Sequence, residues 1–295
     1  MTASAAPRPR VVLVDGVPMS ALVAQVPQPR AIILAVHGGA TSAAYFDCPG
    51  RPDLSLLRIA AGAGFTTIAL DRPGYGSSAV YAGEFADPAR RVAFAAGAVD
   101  KILGDGDRGA GLFIVGHSAG CELTLRMATA REDVIGVELA GTGLRYTPTA
   151  WTIIRDATVT SRPGGLRDLL WEPADLYPAE VLTGALSAPG VRYEGEVTAH
   201  WARRDFPALA ARLSAPVQFS VADNEKVWES GPEALAAIAG LFTASERVAV
   251  NEMAGSGHNL SVGLSAGDYH RKILSFIDEC IAGPHGRDQK QVEAS

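Results

Sequence analysis

Residues 112–120 read Leu-Phe-Ile-Val-Gly-His-Ser-Ala-Gly, an apolar run that breaks into small and polar residues before a helical pattern takes over at Ala119 and runs to Ala130. The run, Leu112 to Val115, has the length and composition of a buried strand, and the pattern after it has helical spacing. A serine on so sharp a strand-to-helix turn is held in a strained backbone conformation with its hydroxyl exposed. The residues two positions to either side must be small, because strand and helix approach closely there. Gly116 and Gly120 meet that need. The following helix directs backbone N–H groups and a positive dipole end toward the turn, where they can stabilise developing negative charge. Glycine-rich loops often carry such a string, so its weight comes from the strand before and the helix after. Ser118 is the candidate nucleophile, and His117 is expected to point away from the turn and pack.

Outward from this stretch, further strands are expected at Ala31 to Val36, Thr66 to Leu70, Val134 to Leu139, Val217 to Val221 and Val248 to Val250. Their continuous apolar character suits strands covered on both faces. Helical patterns at Leu54 to Ala61, Ala86 to Leu103, Pro232 to Leu241 and Ala266 to Ile281 alternate with them. That alternation implies an α/β fold, with a mostly parallel central sheet of about eight strands flanked by helices. Val11 to Val14 and Ala21 to Val26 read as an opening hairpin after a mobile start. The alternation fails over residues 146–206, which carry Trp151, Trp171 and Trp201 with Tyr146, Tyr177 and Tyr193. This segment reads as a small, mainly helical cap or lid inserted in the core, residues 1–145 and 207–283. Its aromatic side chains form either its own small core or a wall lining the site, or both. Residues 284–295 are polar and read as a disordered tail.

Composition narrows the function. The 295 residues are 47% apolar and carry a formal net charge of -6, so neither nucleic acid nor an anionic membrane surface is an expected partner. No apolar run approaches the roughly 20 residues that span a bilayer, and Met1 to Arg10 lacks the apolar core of a secretory signal. Cys48, Cys121 and Cys280 are widely spaced and read as reduced thiols of a cytoplasmic protein. The histidines His200, His270 and His285 show no ligand spacing, so neither metal nor cofactor is expected. Gly104 to Gly109 matches a dinucleotide-binding glycine pattern, but it follows a helix and precedes a strand, the reverse of what phosphate binding needs. It reads as a turn. Cys121, one turn into the helix after Ser118, reads as packing.

With these residues in view the sequence resembles the α/β-hydrolase fold family, in its serine-nucleophile, esterase- or thioesterase-like branch. His37-Gly38-Gly39-Ala40, after the third strand, is similar to the family's oxyanion loop. The resemblance implies Gly39 and Ala119 as the oxyanion-hole amides, with Ala40 as a substitute donor. Asp71-Arg72-Pro73-Gly74-Tyr75-Gly76-Ser77 resembles a family turn and is assigned a structural role. Gly255-Ser256-Gly257-His258-Asn259 lies where the family places its catalytic histidine, which implies His258 as the base. The acid is expected in the loop after the strand that follows the insertion. Glu225 matches that position, and Asp223 is the alternative acid. The implied activity is cleavage of a carboxylic ester or thioester of a moderately apolar small molecule through an acyl-enzyme. The same triad could instead serve an acyltransferase, a cyclase or a lyase, and a fold without turnover would leave a ligand-binding protein.

Overall fold

The chain opens with a hairpin whose turn is Asp15-Gly16, both at positive φ (48° and 83°). Such a turn matches the twist of the two strands it joins. These are β1 (Arg8–Val14) and β2 (Val17–Ala24), paired from Arg8 opposite Val23 to Val14 opposite Val17. The computed structural model describes residues 6–155 and 163–283. The expected tail, residues 284–295, lies outside the described residues. β1 begins at Arg8, earlier than the strand expected from Val11. Pro9 is tolerated because β1 is an edge strand.

From β3 (Ile32–Val36) the alternation follows the sequence reading: α1 (Leu56–Gly62), β4 (Thr66–Leu70), α2 (Pro88–Leu103), β5 (Leu112–His117), α3 (Gly120–Ala130) and β6 (Val134–Ala140). Between β6 and β7 (Val217–Ala222) come only short helices among the described residues. They are α4 (Pro148–Ile154), α5 (Leu166–Trp171), α6 (Ala179–Leu182), α7 (Tyr193–His200) and α8 (Phe206–Ala210). A π-helical turn, Trp201–Asp205, joins the last two. Then follow α9 (Pro232–Ala239), β8 (Val248–Met253) and α10 (Ala266–Ala282).

The eight strands form one sheet in the order β1-β2-β4-β3-β5-β6-β7-β8. β2 pairs antiparallel with both β1 and β4, and every neighbouring pair from β4 to β8 is parallel. Two apolar layers cover the sheet. Phe94 of α2, Leu123 of α3, Phe206 of α8 and Ile238 of α9 belong to one, and Leu57 of α1 with Ile273 and Phe276 of α10 to the other. Because parallel strands share a direction, the residues after β3, β4, β5, β6 and β7 emerge along one edge of the sheet. Ligands of open α/β sheets bind at that carboxyl edge. No described helix is long and apolar enough to cross a membrane.

Candidate active site

Ser118 stands at the β5–α3 junction with φ 51°, a left-handed conformation that a residue with a Cβ rarely adopts. Its N–H donates to Ala140 O at 2.8 Å, and its carbonyl accepts from Cys121 N at 2.9 Å, so the strained turn is pinned on both sides. The flanking glycines are required by contact. A Cβ on Gly120 would lie 2.4 Å from Val36 O, and one on Gly116 would lie 2.5 Å from Thr124 Oγ1.

His258, in the loop between β8 and α10, turns its Nδ1 to Glu225, 3.0 Å from Oε1 and 2.9 Å from Oε2. Both side chains are buried, His258 at 2% and Glu225 at 1% exposure. With Nδ1–H donated to the carboxylate, Nε2 is left as the basic nitrogen. Burial pushes the Glu225 carboxyl up. The charge and hydrogen bond of His258, with the amides of Val227 and Trp228, outweigh that and leave it below the ordinary glutamate value. Val227 N–H donates to Oε1 at 2.8 Å.

Asp223 does not reach His258 but accepts from Gly255 N at 2.8 Å and Ser256 N at 2.9 Å. It thus ties the β7 loop to the turn that carries His258. Its carboxyl is lowered, burial being outweighed by those amides and by Asn224. Of the two acids left open by the sequence, Glu225 touches the imidazole and Asp223 braces its loop. His117 is buried and packed, as expected, but beside the site. Its ring stacks on Tyr45 (4.6 Å between centroids) and meets His258 edge-on at 5.2 Å, so it flanks the site. Burial, then the charge of His258, holds it well below the usual histidine value, and it stays neutral.

The loop after β3 passes against the serine: a Cβ on Gly38 would stand 3.1 Å from Ser118 Cβ. His37 Nδ1 donates to Gly38 O at 2.8 Å, and His37 Nε2 accepts from Arg72 N at 3.0 Å, which fixes a neutral tautomer. Burial and then Arg72 lower its pKa accordingly. Arg72 Nη2 also donates to Gly38 O at 2.8 Å. Ala40, at φ 53°, donates its N–H to Tyr75 Oη at 3.0 Å, so that donor is already engaged. The N–H groups of Gly39 and Ala119 have no partner among the described residues, and both residues line the cavity that contains Ser118. Asp71 accepts from Ser20 Oγ at 2.6 Å and Ala43 N at 2.8 Å, a bracing role for that turn.

The same cavity, about 570 Å³, contains Ser118 and His258 on the sheet edge and is walled by residues of the β6–β7 segment. Trp201 forms part of that wall, with Nε1 donating to Thr142 Oγ1 at 2.7 Å. Trp228 Nε1 donates to Gly141 O at 3.0 Å. Glu194, which carried no sequence signal, is ion-paired with Arg72 and accepts from Tyr75 Oη at 2.7 Å. No three histidine, cysteine or acidic side chains converge as a metal-binding set among the described residues.

A family model described as the alpha/beta hydrolase family matches residues 33–269. No curated protein sequence matches the chain. Among solved structures, a soluble variant of monoglyceride lipase from Saccharomyces cerevisiae superposes with TM-score 0.68 at 14% identity, covering 95% of this chain and 97% of that one. A thermostable carboxyl esterase from Bacillus coagulans gives 0.65 at 18% identity, covering 94% and 99%. A thioesterase domain from the curacin biosynthetic pathway gives 0.60 at 17%, covering 92% and 100%. At these identities the likeness is one of fold.

Proposed function

This chain belongs to the alpha/beta hydrolase family, and from that premise we propose that it cleaves a carboxylic ester or thioester through an acyl-enzyme on Ser118. His258 Nε2 takes the Ser118 hydroxyl proton as Oγ bonds to the substrate carbonyl carbon. The resulting oxyanion is held by the Gly39 and Ala119 N–H groups. The tetrahedral intermediate expels the alcohol or thiol, which leaves with the proton from His258. Water then attacks the acyl-enzyme by the same route, giving the acid and restoring Ser118. Glu225 keeps the imidazole in the productive tautomer and stabilises its cation. The segment 146–206 acts as a cap, and its apolar wall favours a moderately apolar substrate.

The observation that carries this reading is the buried Glu225–His258 pair, at 2.9 and 3.0 Å, in one cavity with a serine held at positive φ. A fluorophosphonate probe should label the protein at Ser118. Ser118→Ala should abolish labelling and reduce ester turnover by a factor on the order of 10⁶. A wild-type protein left unlabelled, or a Ser118→Ala variant labelled as before, would sink the proposal. Product analysis with water against added alcohols as acceptors separates hydrolysis from acyl transfer.

A further inference from the structure

Two carboxylates line the cavity among the described residues: Glu122 is ion-paired with Arg91 and Arg126, whereas Glu194 stands beside the oxyanion loop, a position the proposed hydrolysis does not explain. Its Oε1 is saturated, receiving Arg72 Nη2 and the Tyr75 hydroxyl. Its Oε2 has no hydrogen-bond partner among the described residues, and the side chain, 16% exposed, forms part of the cavity wall. The carboxylate lies against the oxyanion loop: a Cβ on Gly39 would be 3.4 Å from Oε1 and 3.5 Å from Oε2. A carboxylate contributes nothing to holding charge that develops on a substrate oxygen, so oxyanion chemistry gives no reason for its place. A carboxylate offers about four acceptor sites. Two are used to anchor it, and those on Oε2 remain for a ligand.

The class of ligand follows from the neighbours. Arg72, buried at 2%, is ion-paired with Glu194 and already balances its charge. An ammonium would bring a second cation to a neutral pair, whereas a hydroxyl brings a donor and no charge. Ser187 and Thr198 also line the cavity and can accept, but their hydroxyls are neutral, and an ionised carboxylate oxygen is the stronger acceptor.

We propose that Glu194 Oε2 is a specificity-determining acceptor for a hydroxyl on the substrate acyl chain, one or two carbons from the scissile carbonyl. This rests on the ester-cleaving reading above for what is acyl chain and what is carbonyl. A substrate lacking the donor expels water from Oε2 without replacing its hydrogen bond, which is how such sites reject analogues.

The test is binding, so that it stands apart from turnover. The Ser118→Ala protein is titrated calorimetrically with the N-butyl amides of octanoate, of 2- and 3-hydroxyoctanoate, and of the matching methoxy acids. The same series is run on Ser118→Ala/Glu194→Gln. The glutamine keeps an oxygen for Arg72 and Tyr75 but presents an NH₂ donor to the cavity. One hydroxy amide should bind the first protein about tenfold more tightly than the octanoyl and methoxy amides. In the second, that advantage should shrink to about threefold or less, with the methoxy amide recovering because its ether oxygen accepts from the amide. Loss of a merely structural brace would weaken all of them together and leave the ratios unchanged. Equal binding across the series, no binding by any amide, or a hydroxyl preference that survives Glu194→Gln would each overturn the proposal. Fluorophosphonate labelling of wild type is read separately. A clear hydroxyl preference in an unlabelled protein would count against the ester reading and keep Glu194 as a recognition site.

Discussion

At Ser118 the backbone is held where a Cβ clashes with its own carbonyl, φ 51°, and the hydrogen bonds to Ala140 and from Cys121 keep it there. Strain of this kind amounts to about 1–3 kcal/mol and persists only where the surroundings over-determine it. Ser118→Gly should therefore be more stable than Ser118→Ala, by about 1 kcal/mol in urea unfolding, since only glycine removes the strain. Equal stabilities would show that the turn is relaxed. The two acids near His258 are separable in the same manner. Glu225→Gln should lower kcat by a factor on the order of 10³ to 10⁴ with little change in KM, because the imidazole loses its orienting anion. Asp223→Asn should cost roughly 10- to 100-fold, since Asp223 reaches His258 indirectly, through the amides of Gly255 and Ser256. Glu225 also leaves a signature in pH. Its native pKa lies below that of an unfolded glutamate, so its ionised form adds stability above about pH 4.3. That contribution is lost as pH falls through the native value, where the folded carboxyl also takes up its proton. The Tm gap between wild type and Glu225→Gln should thus be widest near neutrality and narrow toward pH 3; a gap that widens on acidification would contradict it.

The element that decides the site is the β5–α3 junction, and it is also the element most legible in the sequence. Its strand is apolar throughout, its helix periodic, and its two glycines fall where Val36 O and Thr124 Oγ1 leave no space for a Cβ. Gly120→Ala should consequently destabilise the fold by about 3 kcal/mol, as overpacking against backbone does, and the same unfolding measurement checks it. A change under about 1 kcal/mol would mean that α3 can slide away from β3. The parallel strands were legible for a related reason: burial on both faces imposes unbroken apolar runs, as in Ile32–Val36 and Thr66–Leu70. The edge hairpin was less so. The solvent-facing residues of β1, among them Val11 and Leu13, answer to ladder hydrogen bonds rather than to a core, and its start at Arg8 left no apolar pattern to read.

Across the whole molecule, the cavity is a contact between parts distant in sequence, and that is why half of it could not be read in advance. Glu194 meets Arg72 across 122 residues, and neither the α7 segment nor its spacing announces the encounter. His117 reads in sequence as a packing residue, which it is, but only the fold shows that it packs between Tyr45 and His258. Trp201 is another wall residue brought to the cavity from a distance in sequence. It projects from the π-helical turn, stacks on Phe206 at 5.0 Å between centroids, and is fixed by its bond to Thr142 next to the β6 edge. A large ring held at both ends lines the cavity, so under the proposed ester cleavage its size should govern the length of chain accepted. Trp201→Ala should cost about 3–5 kcal/mol of stability and move the preferred nitrophenyl ester, in a series from butyrate to palmitate, several carbons longer. Each further methylene buried in the new space should raise kcat/KM by about fourfold until the space is filled. An unchanged chain-length optimum in a folded variant would mean that the acyl chain leaves the cavity by another side, and the depth would then belong to the alcohol or thiol half of the substrate.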